Sequence, residues 1–144
     1  MAGAFSNGRS YIYLSNVRCR ILLEAAIDVA RDLATTEGER NSVANLERWW
    51  NEESWPGIDI DLDKHFHTTE EYKLWAQAFE SLGWRVFYRK WGNQDDETWQ
   101  VGFIASCHVI SRMLTELVWK DDRMWFPTQG DADGIRPDPM RIRQ

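Results

Sequence analysis

The chain has 144 residues, 43% of them hydrophobic and 28% charged, and a formal net charge of −6. That length and composition fit one folded domain with its own core and exclude a disordered chain. The negative balance argues against direct nucleic-acid binding, which needs a basic footprint, and no apolar run approaches the roughly 20 residues that span a bilayer.

The two cysteines, Cys19 and Cys107, form neither a CxxC pair nor a short-spaced framework. A reducing, cytoplasmic setting is therefore expected, with a disulfide between the two left open. Nine tryptophans imply a core rich in indole rings.

In chain order, residues 1–10 are small and polar and read as a loose lead-in, and residues 11–14 as a short strand or extended chain. Ser15 or Asn16 is positioned to cap the helix that follows. Over residues 17–35 the set Cys19, Leu22, Leu23, Ala26, Ala30 and Leu33 recurs at helical spacing, opposite Arg20, Glu24, Asp28, Arg31 and Asp32. Gly38 is expected to break this helix. A second helix is predicted over 42–53, with Val43, Leu46 and Trp50 on one side, closed by Trp55-Pro56-Gly57.

Residues 52–71 then concentrate the charge. Glu52, Glu53, Asp59, Asp61, Asp63, Glu70 and Glu71 face only one basic residue, Lys64, so this stretch carries the whole net charge of −6. Its centre alternates. Ile58, Ile60, Leu62, Lys64 and Phe66 fall on one side of an extended chain and Asp59, Asp61, Asp63, His65 and His67 on the other, which predicts an acidic strand near 58–66.

Thr68 with Glu71 three residues on is a capping box for a helix over 68–82, and Gly83 stands where a left-handed terminating residue belongs. The runs 84–91 and 98–104 are rich in aromatic and β-branched residues and read as an antiparallel hairpin around a loop at 92–97. A last helix is expected from Ser106 to about 120–122, with Val109, Ile110, Met113, Leu114 and Leu117 as its stripe. Residues 124–126 are expected to pack, and the stretch from Pro127, which holds three of the four prolines, reads as an irregular tail. The fold class is thus α+β: about four helices on a small antiparallel sheet made of hairpin 84–104 and the acidic strand. One globular domain is expected over 1–126, with the tail at 127–144.

Candidate chemistry is sparse. Asp63, His65 and His67 on one strand face form the best metal set, because alternate residues project together. Glu71-Tyr72-Lys73 matches the ExK element of metal-dependent nucleases, but Glu71 is better explained as a capping partner. His67-Thr68-Thr69 lacks the second His-x-Thr that phosphoester chemistry requires, and Cys107-His108 diverge by about 100° on a helix. The 131–134 loop lacks the bidentate glutamate of a Ca²⁺ site. No complete catalytic set emerges, and no cofactor is expected.

The expected function is a small interaction protein of the immunity-protein or antitoxin type. Its acidic face, formed by Trp55, Asp59, Asp61, Asp63, Glu70 and Glu71, docks on a basic protein such as a toxin or a nucleic-acid-handling enzyme. The alternative is a metal-dependent hydrolase using Asp63, His65 and His67.

Overall fold

A computed structural model describes residues 2–7, 11–52, 59–89 and 97–119. Two strands open the chain, β1 (Ala2–Ser6) and β2 (Tyr11–Ser15), followed by the helices α1 (Asn16–Leu33) and α2 (Glu37–Glu52). A three-residue strand β3 (Asp59–Asp61) runs into the one-turn helix α3 (Leu62–His65), and two long helices follow, α4 (Thr69–Arg89) and α5 (Glu97–Trp119). Among the described residues, five helices thus pack on a small mixed sheet, and the class is α+β.

The strand expected to be a loose lead-in is the centre of that sheet. β1 lies between β2, which pairs antiparallel, and β3, which pairs parallel. Register places Ile12, Phe5 and Ile60 side by side, and all three are fully buried. The Phe5 ring meets Phe79 of α4 edge-on, with centroids 5.8 Å apart. One aromatic in a small-residue strand therefore anchors the sheet to the helices.

Helix boundaries follow side-chain caps. Ser15 Oγ accepts from the Arg18 amide at 3.2 Å and starts α1. α1 stops at Leu33, before Gly38, which lies inside α2. What starts α2 is Thr36: its hydroxyl accepts from the Glu39 amide at 3.1 Å, while Glu39 Oε1 accepts from the Thr35 and Thr36 amides, each at 3.1 Å. This second capping box moves the helix start five residues ahead of the predicted position at 42. The same amide bonds, Thr35 first, hold the Glu39 carboxyl below the usual carboxylate range.

The predicted hairpin at 84–104 is corrected: residues 84–89 continue α4, and residues 98–104 lie in α5. Helical spacing decides it. Phe79, Leu82 and Val86 are buried along α4, and Phe103, Cys107, Ile110 and Leu114 along α5. Strand propensity is weak against packing of this kind.

Gly83 does not terminate α4 but makes room for α5, since a Cβ there would stand 3.2 Å from the Cys107 Cβ. Trp84 meets Phe87 and His108 edge-on. Arg85 of α4 pairs with Asp32 of α1 at 3.7 Å. Ser111 Oγ donates to the Ala76 carbonyl at 2.7 Å and ties the two helices further along. Both cysteines are buried free thiols. The predicted loop at 92–97, apart from Glu97, and the tail at 127–144 lie outside the described residues, as do residues 124–126.

Gly83→Val tests the helix-on-helix contact. The added side chain meets a backbone-anchored Cβ, so stability should fall by about 1–3 kcal/mol in denaturant unfolding, the cost of overpacking. A glycine at a helix terminus with open space beside it would not tie its loss to α5. Because Cys107→Gly is itself costly inside a helix, the contact is read from a double-mutant cycle, in which Gly83→Val should cost less in a Cys107→Gly background than in the parent. An equal cost in both backgrounds would contradict the contact.

Candidate functional site

The acidic stretch divides at α3. On its N-terminal side Asp59 and Asp61 flank Ile60 on β3, an edge strand. Ile60 is buried against the helices, so period-two alternation turns both carboxylates to the other face of the sheet. Asp59 is exposed. Asp61 is half-buried and pairs with Lys64 at 3.3 Å, a surface contact worth about 0–1 kcal/mol. Asp61 also stands at the N-cap of α3 but makes no side-chain capping bond.

The strand does not extend to 66 as predicted. Leu62 is buried as the chain turns into α3, and this breaks the single face that was to carry Asp63, His65 and His67 together. The His65 ring packs on Trp49 of α2, with centroids 4.3 Å apart. The His67 amide donates to Glu71 at 3.2 Å at the entry to α4. Among the described residues, no group of three or more His, Cys, Asp or Glu side chains is placed to hold a metal ion.

On the C-terminal side the acids serve the fold. Thr68 and Glu71 form the predicted capping box, the Glu71 amide donating to Thr68 Oγ1 at 3.1 Å. Glu71 does more than cap, because its Oε2 accepts from Ser42 Oγ of α2 at 2.8 Å. Ser42 in turn accepts from the buried indole of Trp75 at 2.9 Å. Glu70 accepts a hydrogen bond from Thr36 across the same junction. Of the expected docking residues, then, Asp59 and Asp61 face outward, Asp63 is half-buried beside α4, Glu70 and Glu71 join α4 to α2, and Trp55 lies outside the described residues.

Sequence reasoning missed the aromatic neighbours of the two outward acids. Tyr11 and Tyr13 stand on β2 with ring centroids 4.8 Å apart, on the sheet face that Asp59 and Asp61 share. The alternation Tyr-Ile-Tyr-Leu was the signal, and it needed β1 as a strand before it could be connected to the acids.

Tyr72 lies behind Asp63. Its ring meets Phe66 edge-on, and its buried hydroxyl has no hydrogen-bond partner among the described residues. Burial, with the charges of Asp63 and Glu71, pushes its pKa from 10.0 up to about 12. Burial likewise raises the Cys19 thiol to about 11, with Asp59 adding to the shift.

Comparison with protein-family models, curated proteins and solved structures finds no match to this chain. Among the described residues, no helix is long and apolar enough to cross a membrane.

Tyr72 yields a pH prediction. A folded pKa raised above the unfolded one stabilises the fold fully below the unfolded value, and that stability is lost as pH rises through the folded value. The window here is from 10.0 to about 12. Tyr72→Phe keeps the ring and removes the titrating, unpartnered hydroxyl. Unfolding free energy should be unchanged or higher at pH 7, and its decline between those two pH values should be shallower than in the parent. An equally steep decline would contradict the assignment.

Proposed function

We propose that this chain is an interaction protein of the inhibitor type, as an immunity protein or antitoxin is, and that the outward carboxylates of β3 dock on a basic protein. The observation that carries the reading is the placement of Asp59 and Asp61. They stand on an edge strand whose intervening residue, Ile60, is fully buried, so the strand is held from behind while its acids face away from the core. A rigid element presenting like charges steers a cationic partner during encounter and fixes its register on contact. With Glu71 committed to the fold, the docking charge is narrower than the sequence alone indicates. The natural partner is a toxin or an enzyme that handles an anionic substrate such as nucleic acid.

The test is charge reversal on β3. Asp59→Lys with Asp61→Lys changes the local charge by four units and leaves Ile60 in place. The variant should unfold at the temperature of the parent. A basic protein retained from a host extract by the immobilised parent should associate with the variant about ten-fold or more slowly at low ionic strength. The difference should shrink as salt shortens the screening length to about 8 Å. If the partner is an enzyme, stoichiometric addition of the parent should abolish its activity. Association unchanged by the reversal at low salt would contradict the proposal.

A further inference from the structure

Independently of what β3 binds, we infer that the outer edge of β2 pairs with the same edge of a second copy of this chain, joining two three-stranded sheets into one of six strands. β2 stands at one end of the strand order, with β1 as its neighbour on the inner side. Its five residues, Tyr11–Ser15, match β1 one to one without a bulge. Among the described residues, no backbone hydrogen bond from Ile12, Tyr13 or Leu14 reaches past β1. The strand is open on both faces at its middle. On the outer face Tyr13 is 66% exposed, and on the inner face Leu14 is only partly buried although it packs against the core.

An open edge is a template for another strand, and its usual protections are a charge, a proline, a bulge or a very short strand. β2 has none of these, since Tyr-Ile-Tyr-Leu-Ser carries neither charge nor proline. β3, at the opposite edge, has two of them, being three residues long and carrying Asp59 and Asp61.

That contrast selects the occupant. A two-fold axis through Tyr13 sets β2 antiparallel to its copy, with Tyr13 facing its equivalent, Ile12 facing Leu14 of the copy, and Tyr11 facing Ser15 of the copy. Directly opposite residues point to the same face, so the exposed phenols meet and Leu14 gains an aliphatic cross-strand neighbour. A two-fold contact uses one patch twice and closes on itself, so assembly stops at two copies. The acids do not oppose it. The two β3 strands end five strand spacings apart, roughly 24 Å, well beyond the screening length of about 8 Å at physiological salt. Pairing through β3 would instead set Asp59 against Asp61 of the copy, like charge on like. A strand from a basic partner finds no carboxylate on β2 to match its charge, whereas a copy brings an uncharged strand of equal length and the same alternation.

Sedimentation equilibrium of the full chain over a concentration series tests this. The chain should pass from monomer to dimer, and association should strengthen with added salt, which screens the repulsion between two copies of charge −6. Amide exchange over residues 11–15 should slow as the dimer forms. Tyr13→Lys places like charges across the axis and should raise the dissociation constant about ten-fold or more. The Tyr13 side chain is exposed, so this variant should unfold at the temperature of the dilute parent. Phe87→Lys, at an exposed aromatic of α4, should leave association unchanged. A chain that stays monomeric up to about 1 mM would overturn the proposal. So would a dimer that Phe87→Lys disrupts and Tyr13→Lys spares, which would place the contact on α4. Association that weakens with salt would make the contact ionic and overturn an uncharged edge. A monomer whose association with the captured basic protein is lost in Tyr13→Lys would give the edge to that protein and overturn the second copy as occupant.

Discussion

The carboxylate of Glu71 accepts hydrogen bonds from two directions, and the arrangement of the helices depends on it. One oxygen takes the His67 amide and the Thr68 hydroxyl, which fixes where α4 begins. The other takes Ser42 Oγ of α2, and Ser42 passes the connection to the indole of Trp75, a fully buried side chain in the next turn of α4. A buried N–H without an acceptor costs about 1–3 kcal/mol, so the chain from Trp75 through Ser42 to Glu71 specifies one docking of α2 on α4. Phe66 stacks on the same indole, with centroids 5.1 Å apart, and brings in the segment that leads back to β3.

That constraint divides an acidic stretch whose charges look alike in sequence. Glu70 and Glu71 hold helices together, whereas Asp59 and Asp61, on the far side of α3, are displayed by a strand that β1 holds from one side. The short helix between them is the hinge of this division, because burial of Leu62 turns the backbone out of the strand. A charge belongs to the fold or to the surface according to what the neighbouring residue buries. The two tyrosines of β2 join the outward acids only through β1, so the face that carries the proposed function is assembled from three separate stretches of chain.

Local chemistry was legible in the sequence and long-range pairing was not. The caps at Ser15 and at Thr68 with Glu71, and the apolar stripe of α1, were readable because each needs only residues three or four apart. The second capping box, Thr36 with Glu39, carries the same signature and was hidden by treating Gly38 as a breaker. β1 escaped because its one large apolar residue, Phe5, becomes a core residue only beside Ile12 and Ile60, although the Asn7-Gly8 pair ahead of Tyr-Ile-Tyr-Leu is a hairpin signal. The error at 84–104 came from propensity. Aromatic and β-branched residues favour strands, but Phe79, Leu82 and Val86 already continue a helical stripe through Gly83. A glycine that permits close helix contact cannot be told from one that ends a helix until the opposing Cys107 is known.

The division of labour among the acids is open to one direct comparison, equilibrium unfolding of Glu71→Ala beside Asp59→Ala at neutral pH. Loss of the Glu71 carboxylate leaves the Ser42–Trp75 connection without its terminal acceptor and should cost about 1–3 kcal/mol. Loss of the exposed Asp59 carboxylate should stay within about 0.5 kcal/mol, as surface changes away from special features do. Equal costs, or a larger cost at Asp59, would contradict a structural role for the one and a displayed role for the other.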